Sequence, residues 1–221
     1  MPFTIRSGVA VMDNVLRSPA LLEYLSSANL TYSKLWHRGV GYPGPTARIP
    51  MALVAGLLHR VGHFLNASFP SANETILLAK ATGFIGTVCT PPWQMGSGSI
   101  APHVDGTTTG IAMVWYLSDN VAAARTSSLA GTAFYRDRST GLDRLTTKAQ
   151  SRRLVEFKKT LNLSVYPSGS DRHFEELHWE PFKPWRAVAY HMNRLHGVTR
   201  LTPEYYGACT PSTGRLAVSL F

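Results

Sequence analysis

The chain is short of cysteine, of acidic residues and of long apolar runs, and each shortage removes a class of protein. Two cysteines, Cys89 and Cys209, among 221 residues are too few for a disulfide framework. They also lack the short paired spacing of a zinc site. Both read as small buried hydrophobes. No run approaches the about 20 consecutive apolar residues of a membrane-spanning helix. Met1 to Gly8 lacks the basic-then-apolar layout of a secretory leader. A cytoplasmic protein with no membrane attachment is therefore expected. Internal repeats and low-complexity tracts are absent as well.

Acidic residues number 13 against 22 lysines and arginines, a formal charge of +9. Such an excess favours anionic partners: acidic substrates, nucleic acid or an acidic protein surface. The basic residues are scattered, and no stripe interleaves them with aromatics as a nucleic-acid groove requires. Nucleic acid is therefore not the expected partner. The densest cluster, Arg152-Arg153 with Lys158-Lys159, reads as the solvated face of a helix.

What is present is enough apolar material for a core: 44% of residues are hydrophobic and only 16% charged. Residues 1–221 fit one domain. Its expected parts are an N-terminal strand with supporting helices over 1–72 and a strand-rich core over 73–221. Phe3 to Val11 reads as one extended strand, with a turn at Asp13-Asn14. Ser18-Pro19 reads as an N-cap followed by proline at the first helical position. His37 to Ile49, rich in glycine and proline, reads as a loop. From Pro50, Leu53, Val54, Leu57, Leu58, Val61 and Leu65 recur at three- and four-residue steps, the stripe of a buried helix.

After Asn73 short apolar runs alternate with turns. Strands are expected at Ile76–Ala79, Gly83–Cys89, Gly110–Leu117, Thr132–Tyr135, Ala187–Met192 and Arg215–Phe221. An inserted helix is expected within 145–163, near a barrel mouth. The fold class is mainly β with flanking α-helices, an antiparallel sandwich or barrel.

The stretch with chemical content is Pro102-His103-Val104-Asp105-Gly106. In extended backbone, residues i and i+2 share a face, so His103 and Asp105 can reach one metal ion. A third ligand from the C-terminal strands would complete a two-histidine, one-carboxylate triad with open coordination positions. His191 and His196 are the candidates. In an unbroken strand they would face opposite sides, and His196 is preferred because Leu195-His196-Gly197-Val198 stands at a strand end. His178-Trp179-Glu180 repeats the one-face geometry, but Pro181 and Pro184 place it in a loop bordering the pocket. Arg215 opens an apolar final strand, where a guanidinium is costly unless it meets an anion such as a carboxylate. Arg194 and Arg200 are weaker candidates for that role.

The order of His103-x-Asp105, Trp115-Tyr116-Leu117, Gly131-Thr132-Ala133-Phe134-Tyr135, His196-Gly197-Val198 and Gly214-Arg215 resembles the 2-oxoglutarate/iron(II) dioxygenase superfamily. The likeness is to its prolyl-hydroxylase-like branch, where a Gly-Gly-Thr-x-Phe element is common; Ala130-Gly131-Thr132 departs from it slightly. Val11 to Leu16 and Tyr42-Pro43-Gly44 are similar to a small family of uncharacterised bacterial oxygenase-like proteins. The resemblance implies a double-stranded β-helix, or jelly roll. It implies iron(II) on His103, Asp105 and His196, 2-oxoglutarate anchored by Arg215 with Thr132 nearby, and O2 as co-reactant. The expected substrate is a small molecule, acidic or carrier-bound, oxidised at a C–H bond. The rivals are a hydroxylase of protein or nucleic acid, a zinc hydrolase using Glu180 or Glu175-Glu176 as base, and a non-catalytic cupin-like barrel.

Overall fold

The computed structural model describes residues 3–15, 17–26, 33–37, 40–70, 83–107, 110–117, 130–201, 203, 206 and 215–220. The strand expected at Ile76–Ala79, the Tyr205-Gly207 segment and Cys209 lie wholly or partly outside them.

The strands run β1 (Phe3–Arg6), β2 (Val9–Met12), β3 (Ser33–His37), β4 (Val40–Arg48), β5 (Gly83–Val88), β6 (Ile111–Tyr116), β7 (Gly131–Asp137), β8 (Phe174–Pro181), β9 (Ala187–His191), β10 (His196–Thr199) and β11 (Arg215–Leu220). The α-helices are α1 (Pro19–Ser26), α2 (Met51–Ser68), α3 (Ser97–Ile100) and α4 (Lys148–Thr160). The large sheet has the order β1-β2-β9-β6-β11-β5-β4-β3, and the small sheet β10-β7-β8. All the pairings are antiparallel. An isolated bridge from His103 to His196 extends the small sheet beyond β10. From β5 onward the chain crosses repeatedly between the two sheets. Neighbours β9, β6, β11 and β5 on one side face His103, β10, β7 and β8 on the other. That interleaving is a jelly roll, as expected.

Alternation along the strands explains how it packs. In β6, Ile111, Met113 and Trp115 join a cluster with Val54, Leu57, Leu58, Val61 and Leu65 of α2, while Ala112 and Tyr116 point between the sheets. In β9, Ala187 and Ala189 turn toward α2, and Val188 and Tyr190 turn inward. Strands buried on both faces lose the polar alternation of a half-exposed strand, which is why they read as apolar runs. On the far side, α4 lays Leu154 and Leu161 against Ala133 and Tyr135, the outer face of the small sheet. Thr147 caps α4: its side chain accepts from the Gln150 backbone N–H, and the Gln150 side chain accepts from the Thr147 N–H. The expected N-cap of α1 is also present, with Leu21 N donating to Ser18 Oγ at 3.2 Å.

Several expectations are corrected. Phe3 to Val11 is not one strand but a hairpin. Arg6 pairs with Val9, and Ser7 and Gly8 hold φ values of 50° and 72°, the geometry of a two-residue primed turn. The 1–72 region therefore supplies four strands, two at each edge of the large sheet. The loop expected over His37–Ile49 contains the nine-residue β4. His178 and Glu180 belong to strand β8 rather than a loop, because Pro181 comes last in that strand, where it breaks no interior pairing. Cys89 is fully buried, as expected, but disulfide-bonded rather than a thiol; partnership of distant cysteines is not legible from spacing. Among the described residues no helix is long and apolar enough to cross a membrane.

Candidate metal centre

Two hydrogen-bonded crossings bring the site together. His103 N donates to His196 O at 2.7 Å and His196 N to His103 O at 2.8 Å. Asp105 N donates to Met192 O at 2.9 Å. The His-x-Asp segment is thereby clamped along the turn between β9 and β10. Residues 103 and 105 then project to one side, as extended backbone requires.

The result is a cluster of three. One ligand atom from each of His103, Asp105 and His196 lies within 4.8 Å of the other two. Asp105 Oδ1 is 3.9 Å from His103 Nε2, and Oδ2 is 3.4 Å from His196 Nε2. Donors bound at about 2.1 Å in a cis arrangement stand about 3 Å apart, so small side-chain adjustments suffice to close on an ion. The tautomer of His196 also fits. Its Nδ1 lies 2.9 Å from the Arg194 carbonyl oxygen, which can only accept, so Nδ1 carries the proton. Nε2 is left with its lone pair directed at Asp105.

Electrostatics act in opposite directions on His103 and Asp105. The His103 side chain keeps 41% of its surface accessible, and its ring is packed at 4.5 Å against that of His196. Burial, then the neighbouring His196 and Lys158, hold its pKa well below the ordinary value, so the ring is neutral. Asp105 is pushed the other way: burial raises its pKa, opposed by His196 and by a hydrogen bond from Tyr190. Tyr190 Oη donates to Asp105 Oδ2 at 3.3 Å, and its ring lies 4.5 Å from that of His196. A buried carboxylate between two imidazoles, with one phenol to steady it, is a site whose charge a divalent ion would complete.

His191 is not part of it. The chain leaves the strand between His191 and His196, and the His191 ring packs edge-on against Phe69 at 5.1 Å. Thr132 is buried on β7 and shares a 2.7 Å hydrogen bond with the Tyr116 hydroxyl between the sheets. Arg215 pairs by backbone with Val88 at the start of β11; its side chain lies outside the described atoms. Arg200 is committed elsewhere, bonded through both terminal nitrogens to Glu176 at 2.8 and 2.6 Å and lying 4.3 Å over the Trp179 ring. Arg194 donates to the Ser7 carbonyl and covers Phe134.

The His178–Glu180 pair forms a separate network. A register shift in the β7–β8 pairing next to Phe134 sets His178 opposite Phe134 and Glu180 opposite Thr132. His178 Nε2 donates to Glu180 Oε1 at 2.7 Å, Arg186 bonds Glu180 Oε2 at 3.2 Å, and Arg186 Nε bonds Asp13 Oδ1 at 2.7 Å. Glu175 and Glu176 pair with Arg136 and Arg200. Tyr190, the Arg194 carbonyl and the Arg186–Asp13 end of this network were not singled out in the sequence. Tyr190 alone left a trace there, alternating with Val188 opposite the small residues Ala187 and Ala189.

Comparison with known proteins gives a family and two distant structures. Residues 4–221 match a family of unknown function, DUF6445. No curated protein matches. The non-heme alpha ketoglutarate dependent epimerase SnoN from nogalamycin biosynthesis is similar at 14% identity over 97% of this chain and 78% of that chain, with a TM-score of 0.41. The epimerase SnoN in complex with Fe3+, alpha ketoglutarate and nogalamycin RO is similar at 13% identity over the same shares, with a TM-score of 0.39.

Proposed function

We propose that this chain, which belongs to the DUF6445 family of unknown function, is a non-haem iron(II) oxygenase. It would use 2-oxoglutarate and O2 to oxidise an unactivated C–H bond of a small, acidic or carrier-bound molecule. The observation that carries the reading is the His103–Asp105–His196 cluster, two imidazoles and one carboxylate at ligand spacing inside a jelly roll. Two histidines and a carboxylate on one face leave coordination positions free, the pattern of iron(II) oxygenases.

Iron with 2-oxoglutarate and O2 supplies the oxidising power when bound. The chain's own residues do the rest. The Arg194 carbonyl fixes the His196 ring, and Tyr190 orients the Asp105 carboxylate. Phe134, Tyr190, Tyr116 and Phe182, packed between the sheets, exclude water from one side of the site. Arg215 is proposed to anchor the distal carboxylate of 2-oxoglutarate, and Thr132 with Tyr116 to present a hydroxyl pair to it. Both positions belong to strands that line the space between the sheets.

A hydrolase reading loses its support because the carboxylates it would need as base are tied up: Glu180 to His178 and Arg186, Glu175 to Arg136, Glu176 to Arg200. The test is anaerobic titration of iron(II) and 2-oxoglutarate into wild type and Arg215→Ala, following the weak visible charge-transfer band of the chelate. A band in wild type that needs at least tenfold more 2-oxoglutarate in the variant is the expected result. Bound iron with no band would reject 2-oxoglutarate and leave a metal-binding barrel.

A further inference from the structure

Away from the metal centre, a cavity of about 560 Å³ lies between α4 and the segment that leaves β7. Small-molecule sites span about 300–1,000 Å³ and are mostly apolar with a few polar groups. Leu142 and Leu145 of the segment and Leu154 and Phe157 of α4 supply its apolar lining. Both sides are held in place: the Thr147–Gln150 capping box fixes the first turn of α4, and Leu145 N donates to Asn193 O at 2.8 Å. Leu145 and Leu154 cluster with Ala133 and Tyr135 on the outer face of the small sheet. None of His103, Asp105 and His196 lines this cavity.

The polar feature of the cavity is Asp137, the last residue of β7, which is only 7% exposed. Its Oδ1 accepts from the Ser139 backbone and hydroxyl at 2.7 and 2.8 Å. That turn accounts for one oxygen alone. Oδ2 has no hydrogen bond or ion pair among the described residues, and it is not sealed inside protein. It therefore opens into the cavity that Asp137 lines. The two arginines beside Asp137 in sequence turn elsewhere, Arg136 to Glu175 and Arg138 to the Asp171 carbonyl. A carboxylate so buried is costly while no cation or donor meets it. Arg153 also lines the cavity, but it is exposed and has no ion pair among the described residues.

We propose that this cavity binds an organic ammonium ion with an apolar body. The ammonium donates to Asp137 Oδ2, and the body lies against Leu142, Leu145, Leu154 and Phe157. Two sources offer that chemistry: a simple amine, or an apolar amino acid whose carboxylate meets Arg153. On a chain of formal charge +9 an organic cation has no general attraction, so its binding reports this carboxylate. The site is separate from the metal centre and does not rest on the oxygenase reading.

The experiment titrates phenethylamine, L-phenylalanine and 3-phenylpropionate calorimetrically into wild type, Asp137→Asn and Arg153→Met. The probes share one phenyl body and differ only in their charged groups. Asp137→Asn keeps an oxygen for Ser139 and removes the charge. The expected result is binding of an ammonium probe to wild type with Kd below about 1 mM, none of 3-phenylpropionate, and at least a tenfold loss in Asp137→Asn. Tighter binding of phenylalanine than of phenethylamine, with the difference lost in Arg153→Met, identifies the ligand as an amino acid. Equal or weaker binding of phenylalanine identifies a simple amine. No binding of either ammonium up to about 10 mM overturns the proposal. So does affinity unchanged in Asp137→Asn, or 3-phenylpropionate binding as well as the other two. Binding lost in Asp105→Asn would place the probe at the metal centre and overturns it too. Should Asp137→Asn not fold, Leu142→Trp takes its place by filling the cavity, and ammonium binding that survives there is equally fatal.

Discussion

Tyr190 touches both halves of the candidate centre, bonding Asp105 at 3.3 Å and lying against the His196 ring. It coordinates nothing itself, so its contribution is orientation. Removing a group that orients a metal ligand commonly weakens binding about 10–100-fold; because this bond is long, the low end applies. Tyr190→Phe should therefore lower iron(II) or cobalt(II) affinity about tenfold, with thermal stability nearly unchanged. Equal metal affinity in titration calorimetry would remove Tyr190 from the site. A second residue, Asp13, works at the surface end of the Glu180 network. Hydrogen bonds and charge from Arg186, with those of Lys183, take its pKa from 3.8 to about 2. The folded value is depressed, so the stabilisation is complete above pH 3.8 and is lost as pH falls through about 2. At neutral pH, Asp13→Asn should cost about 1 kcal/mol, or roughly 2–4 °C in Tm for a chain of this size. The gap to wild type should close as melting curves are taken at pH values approaching 2; a constant gap would mean that the carboxylate's charge is not what stabilises. Of the site itself, the His103-x-Asp105 pairing was legible because it depends only on the two-residue period of extended chain. His196 was separable from His191 only through its strand-end context. Outside the site, Lys158 was misread as solvated and is buried, although a lysine in step with Leu154 and Leu161 is itself a signal; its neighbours Arg152, Arg153 and Lys159 are exposed as expected.

Elements were legible where one physical rule sets the pattern. The α2 stripe, the apolar strands β5, β6, β9 and β11, and the α4 insertion all follow from periodicity, and each lies within a few residues of its expected place. Strand β4 was hidden because Tyr42-Pro43-Gly44-Pro45 carries the residues of a loop. Those residues serve a contact that is invisible locally. A Cβ on Gly44 would fall 1.7 Å from the Thr87 carbonyl oxygen of β5, so only glycine allows β4 to approach there. Gly131 of β7 is fixed in the same way by Glu180 O at 2.1 Å. Local composition reports backbone permissiveness; it does not report which neighbour makes that permissiveness necessary. Gly44→Ala should force the two strands apart and cost about 2–3 kcal/mol or more, measured as a lower urea midpoint with the m-value unchanged. Gly56→Ala on α2, where an added Cβ meets nothing within 4 Å, should instead stabilise by up to about 1 kcal/mol. If the two substitutions behaved alike, the close approach of β4 to β5 would be wrong.

At the scale of the whole molecule, the candidate metal centre joins parts of the chain that are far apart in sequence. His103 precedes β6 and His196 opens β10, and the bridge between them is the outermost rung of the small sheet. An ion held by His103, Asp105 and His196 would bind the folded chain alone, since these groups meet nowhere else. Binding of that kind stabilises by about 2.7 kcal/mol at a hundredfold excess of ion over Kd. For a domain of this length that corresponds to roughly 5–10 °C in Tm. Anaerobic iron(II), or cobalt(II) as an air-stable substitute, should therefore raise Tm of the wild type by that amount. Asp105→Asn separates the two terms. Burial already raises the Asp105 pKa, so the carboxylate is a cost to the metal-free fold. Its amide isostere should melt at the same temperature or higher than metal-free wild type, and should gain nothing from the ion. A metal response that survives Asp105→Asn would place the ion outside this triad. A metal-free variant that melts well below wild type would mean that the carboxylate stabilises the fold itself, and the cluster would then be structural rather than a site held ready for a ligand.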